Sequence, residues 1–176
     1  MTVDMGPASV VDAETFGTPG RRTFRLRILN AALECASLWM EKEQFQALSM
    51  ALEQALLEIE YHGPPADMPV ETLPQVAEHD FKVGRMAISL DTADRTLTLH
   101  AYDSEAGEES DPTMRASMTA AQCAALRPRI DSIVRAGRPV CPLCSQPLDA
   151  SGHACIRANG HLKLPIPEED GDEEQT

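Results

Sequence analysis

The sequence predicts an α+β fold: a largely antiparallel sheet in the order β-β-α-β-β-β-α, followed by a small zinc-binding C-terminal segment. Three observations carry this reading. Phe24, Leu26 and Ile28 alternate with Thr23, Arg25 and Arg27, the period of a half-buried strand. Phe45, Leu48, Leu52, Leu56 and Ile59 recur at intervals of three and four, the stripe of an amphipathic helix. Three of the five cysteines crowd between positions 141 and 155.

The elements follow in order along the chain. Residues 1–15 show no periodicity and are expected to be a flexible N-terminus, with Gly17-Thr18-Pro19-Gly20 as turn chemistry at the start of the ordered chain. A turn near Asn30 leads to a second strand over Leu33–Trp39, so the first two strands form a hairpin. The helix begins at Glu41 and stops near His62-Gly63-Pro64-Pro65. After a proline-bearing connection over 63–79, the run Phe81 to Leu90 slips phase, and a bulge at Gly84-Arg85 brings Phe81, Val83, Met86, Ile88 and Leu90 to one face. Asp91–Asp94 is a turn; Leu97, Leu99 and Ala101 mark the next strand, whose His100 faces solvent. An acidic surface loop over Asp103–Pro112 leads to a short strand at Met114, Ala116 and Met118. Thr119 and Gln122 form a capping box for a second helix carrying Leu126, Ile130 and Ile133, with a kink or break expected near Arg127 because Pro128 lacks the amide an interior turn needs. No repeat is visible. The expected organisation is a flexible 1–15, an α+β domain over 16–137, a zinc-binding segment over 138–163 and an acidic disordered tail over 164–176.

Composition narrows the function. At 176 residues there is room for one sizeable core, which aliphatic side chains must fill because aromatics make up 4%. No stretch reaches the roughly 18 apolar residues of a membrane span. Asp4, Asp12 and Glu14 stand where a signal peptide would be basic and apolar, so a cytoplasmic location is expected. The net charge of −13 is segregated: −11 over 1–126, +4 over 127–163 and −6 over 164–176. The basic stretch carries Arg127, Arg129, Arg135, Arg138, Arg157 and Lys163, but the field of the whole chain repels polyanions, so nucleic-acid binding through this basic zinc segment stands as a second alternative and not as the leading expectation.

The cysteine cluster is the most specific motif. In Cys141-Pro142-Leu143-Cys144 a tight turn aims two sulfurs into one hollow, and Gly152-His153-Ala154-Cys155 returns two further ligands. The expected ligands of one structural zinc are Cys141, Cys144, His153 and Cys155, with His161 the rival should His153 or Cys155 face away. Four protein ligands leave no open position for substrate or activated water, the mark of a structural site. Catalytic readings of the same residues fail. A zinc deaminase needs Glu two residues after a ligand His, where His62, His79 and His100 are followed by Pro64, Phe81 and Tyr102. A redox C-x-x-C uses a following helix, which Ser145-Gln146-Pro147 starts poorly, and haem attachment needs His at position 145. Cys35 and Cys123 read as small core residues, and Asp91 with Asp94 as turn formers. No catalytic and no cofactor-binding residue is assigned.

The strings Pro19-Gly20-Arg21-Arg22-Thr23-Phe24, Leu38-Trp39-Met40-Glu41-Lys42-Glu43-Gln44, Phe81-Lys82-Val83-Gly84 and Ala136-Gly137-Arg138-Pro139-Val140-Cys141-Pro142-Leu143-Cys144, with Gly152-His153-Ala154-Cys155 and Asn159-Gly160, resemble a bacterial family catalogued as domain of unknown function 3090. The resemblance runs from about Phe16 to His161. It implies the same four ligands. It also implies a gene neighbourhood with histidine-phosphatase-like and kinase-like proteins, hence the alternative of an enzyme or enzyme subunit acting with such partners. The leading expectation is a zinc-stabilised, non-catalytic interaction or adaptor protein with a protein partner and no membrane.

Overall fold

Strands and helices succeed one another as β1 (Val3–Phe16), β2 (Thr23–Asn30), β3 (Cys35–Met40), α1 (Lys42–Glu58), β4 (His79–Asp91), β5 (Thr96–Asp103), β6 (Met114–Thr119) and α2 (Ala120–Arg135). The structure, a computed structural model, describes residues 1–136, 141–144, 148 and 155. The chain divides into two units, 1–137 and 138–176, and all of these elements belong to the first.

The six strands close into a barrel in chain order. Pairing is antiparallel except at two short seams: β3 with β4, from Ala36 opposite His79 to Trp39 opposite Lys82, and β1 with β6, from Val3 opposite Met114 to Pro7 opposite Ser117. The fold is therefore α+β with a largely antiparallel sheet, in the order β-β-β-α-β-β-β-α. The extra strand corrects the expectation for residues 1–15. Met5, Ala8, Val10, Val11 and Ala13 are buried there, but the register with β2 shifts between Ala8 and Val10, which erases simple alternation. The polar residues that disguise the strand find distant partners: Asp4 pairs with Arg115 at 2.6 Å, Asp12 with Arg129 at 3.3 Å, and Glu14 accepts from Arg25 Nε at 2.9 Å.

Two βββα halves compose this unit, although no repeat shows in the sequence. In each half the first strand is long and changes partner midway. β1 leaves β6 for β2 around Gly6-Pro7, and β4 leaves β3 for β5 at the shift between Val83 and Arg85, where the bulge was expected. Glycine is needed at both bends. Gly6 has φ +62°, and a Cβ on Gly84 would lie 2.8 Å from the Cα of Ser104. Each helix begins against the bent strand of the following or preceding half through a glutamine at its third position. Gln44 accepts from the Glu41 amide at 2.8 Å and donates to the carbonyls of Val83 and Gly84 at 2.9 and 3.1 Å. Gln122 accepts from the Thr119 amide at 2.9 Å and donates to the carbonyls of Ala8 and Ser9 at 2.8 and 3.4 Å.

The inward faces and both helices share one core, in which Leu26, Ile28, Leu38, Phe45, Leu48, Leu97, Leu99 and Leu126 are wholly buried. Phe24 and Phe45 meet at 5.4 Å between ring centroids and join β2 to α1. Ser49 donates to Asp131, and Glu53 pairs with Arg127 at 2.7 Å, across the two helices. Of the kink or break expected near Arg127, the break does not occur: α2 runs continuously past Pro128 to Arg135. Pro128 is exposed, so the carbonyl it leaves without a donor can turn to water, while Leu126, Ile130 and Ile133 hold the helix on the core. β3, expected over Leu33–Trp39, starts at Cys35 rather than Leu33, which sits in the turn with φ 65°.

Replacing the bridging glutamines by leucine tests their role. Gln122→Leu leaves the buried Ala8 carbonyl without its donor and should cost about 1–3 kcal/mol, with a smaller loss for the half-exposed Gln44→Leu. Urea denaturation measures both; an unchanged midpoint for Gln122→Leu would refute the bridge as a structural tie.

Candidate metal centre

Cys141, Cys144 and Cys155 converge. Their sulfurs all lie within 4.8 Å of one another, Cys141 and Cys155 are buried and Cys144 is half-buried. The Cys141 and Cys155 sulfurs are 3.8 Å apart, far beyond the roughly 2.05 Å of a disulfide, and all five cysteines of the chain are free. Sequence explains the convergence locally. Residues 142–144 form a turn between the first two thiols, so the backbone amides of Cys144 and then Leu143 reach the Cys141 sulfur. Those donors stabilise a thiolate and hold the Cys141 pKa below the ordinary thiol value. Three soft, close donors of this kind can hold a metal ion.

The other ligands expected from the sequence, His153 and its rival His161, lie outside the described residues, as do the tail over 164–176 and most of the segment over 138–163. Cys35 and Cys123 stand apart from the cluster and are buried in the first unit. Arg27 Nη2 donates to Cys35 Sγ at 3.6 Å. Burial pushes the Cys123 thiol up to about 12, the environment of a packing residue rather than a nucleophile. Asp91 accepts from the amides of Ala93 and Asp94 at 2.9 and 3.0 Å, as a turn former does. The described basic residues of α2 are engaged: Arg127 with Glu53, Arg129 with Asp12 and Arg135 with Asp131. Arg138, Arg157 and Lys163 lie outside the described residues.

One polar group escaped the sequence reading. Ser89, Thr98, His100, Arg115 and Ser117 meet Asp4 on the outer face of the barrel around a depression of about 300 Å³. These residues come from four strands, and the one signal for them was the outward phase of His100 between Leu99 and Ala101. No described helix is long and apolar enough to cross a membrane.

A family model described as protein of unknown function (DUF3090) matches residues 5–155. No curated protein and no solved structure matches the chain.

The raised Cys123 pKa sets an expectation for labelling. With a thiol near 12, roughly one molecule in ten thousand carries the thiolate at pH 8. Iodoacetamide should therefore leave Cys123 unmodified in native protein and label it in urea, as read by peptide mass mapping. Labelling of native protein at the rate of a free thiol would overturn the burial argument.

Proposed function

The chain belongs to the DUF3090 family of proteins of unknown function, and from that premise we propose that it is a non-catalytic interaction or adaptor protein whose C-terminal segment is cross-linked by one structural zinc. The observation that carries this reading is the convergence of three thiols, and His153 supplies the fourth ligand. Zinc fits the donor set. Thiolate and imidazole are its preferred structural ligands, and zinc–sulfur bonds of about 2.3 Å put neighbouring sulfurs of a tetrahedron roughly 3.8 Å apart. The Cys141 and Cys155 sulfurs are 3.8 Å apart. Zinc, when bound, supplies a cross-link between the C-x-x-C turn and the returning chain.

The chain's own residues prepare that cross-link. The amides of Cys144 and Leu143 favour the charged form of Cys141, lowering the proton cost of ligation. Three thiolates and one imidazole fill the tetrahedron, so the reading gives the metal no substrate position. Arg127, Arg129 and Arg135 each pair with a carboxylate of the chain, which counts against an extended nucleic-acid contact along α2.

Elemental analysis of untagged protein should find one zinc per chain, and Cys144→Ser should lose it together with hydrogen-exchange protection over 139–161, while β1–β6 and α1 stay protected. Less than half an equivalent of metal in the wild type, with all five thiols titratable in the native state, would overturn the zinc. Purification from the native cell should bring down a stoichiometric protein partner; a co-purifying metabolite in its place would favour an enzyme.

A further inference from the structure

The depression on the outer face of β4, β5, β6 and the start of β1 has the architecture of a ligand site. Its walls are set by register. Ser89, Thr98 and Ser117 stand directly opposite one another across β4, β5 and β6, and one step along, His100 stands opposite Arg115 and Arg115 opposite Asp4. A row of hydroxyls thus lies beside a row of imidazole and guanidinium. His100 Nε2 is 3.0 Å from Ser89 Oγ; with Nε2 donating, the hydroxyl proton of Ser89 is free for a ligand. The Asp4 carboxylate is fixed at both oxygens, by the Gly6 amide at 3.0 Å and by Arg115 Nη2 at 2.6 Å. Arg115, then the Gly6 amide, hold Asp4 below the usual carboxylate range, so the pair stays charged.

We propose that this face binds a phosphate monoester, with Arg115 and the hydroxyls of Ser89, Thr98 and Ser117 as donors, His100 orienting the Ser89 hydroxyl and Asp4 positioning Arg115. The donor set selects the ligand class. A phosphoryl group offers three acceptor oxygens and close to two negative charges, enough to engage a guanidinium and several hydroxyls together, whereas a carboxylate has two oxygens. Asp4 is the one carboxylate among the described residues lining the depression, and Arg85, on the neighbouring stretch of the same face, stacks on Tyr102 and donates to the carbonyls of Glu108 and Ser110. At physiological salt, charges beyond about 8 Å are largely screened. Gly6 has open space where a Cβ would stand, which leaves the rim accessible.

The site is tested on the full chain by two-dimensional amide NMR with inorganic phosphate as the probe, against sodium acetate and sodium chloride at equal ionic strength. Phosphate should produce saturable shifts confined to residues 4–6, 87–89, 98–100 and 115–117, and the two controls should not. Arg115→Met should weaken binding about tenfold, as expected for loss of one charge-assisted hydrogen bond, and Thr98→Val should weaken it with the backbone spectrum otherwise unchanged. Asp4→Asn separates a built site from a diffuse field. Removing a negative charge would strengthen attraction to a field, whereas here it should weaken binding severalfold because Arg115 loses its support. Shifts that fail to saturate, an equal response to acetate, or tighter binding by Asp4→Asn would each overturn the proposal.

Discussion

A bent strand that must leave one neighbour and join another cannot keep every backbone group paired, and this barrel contains two of them. At the bends of β1 and β4 the register shifts, and carbonyls of Ala8 and Ser9, or of Val83 and Gly84, receive side-chain donors. Gln122 and Gln44 supply those donors. Each glutamine also closes a capping box, so one side chain satisfies a helix amide and a strand bulge together. Helix position and strand curvature are thereby fixed in one step. β1 and β4 each pair with a parallel partner along one stretch and an antiparallel partner along the next, and the six strands close in chain order.

Closure divides the side chains into two populations. The inward faces meet α1 and α2 in the main apolar core, nearly all of whose large members are aliphatic, and Val10, Leu29 and Cys35 form a second, smaller buried cluster. Polar residues are left on the outside, where cross-strand register decides which of them meet. Two of the resulting rows differ in exposure. On the first half, Asp12, Arg27 and Ser37 stand side by side and are nearly excluded from solvent, with Arg27 4% exposed and Glu14 within 3.7 Å of it. Where β5 and β6 meet the start of β1, Asp4, Arg115 and His100 form another row that remains open, beside hydroxyls rather than further carboxylates. An outer face with donors to spare is the one suited to an anionic ligand.

Legibility in the sequence followed the range of the interactions. The stripe of α1, the capping box at Thr119 and Gln122, and the slip at Gly84-Arg85 are written within a few residues, and the structure shows all three. β1 was hidden because its phase changes between Ala8 and Val10 and because Asp4 is answered by a residue 111 positions away. For a related reason Pro128 does not break α2: helix propensity is local, while the burial of Leu126, Ile130 and Ile133 that overrides it is not. The cysteine cluster lay at the legible end, since a turn of four residues fixes two of its sulfurs. The outer-face site lay at the other, assembled from four strands whose register no local pattern reveals.

The two ends of the chain differ in what they have to pack. Residues 3–135 bury a continuous core and need no cross-link. Between Arg138 and Lys163 the large apolar side chains are only Val140, Leu143, Leu148, Ile156 and Leu162, and Leu143 is exposed. So small a set offers far less hydrophobic stabilisation than the entropy of ordering some two dozen residues costs, at about 1–2 kcal/mol each. A metal ion held by thiolates acts independently of buried area, and the turn that carries Cys141 and Cys144 favours the charged ligand before any metal arrives. The amides of Leu143 and Cys144 therefore do for this segment what Gln44 and Gln122 do for the barrel: they place hydrogen-bond donors where the chain must hold an otherwise costly arrangement.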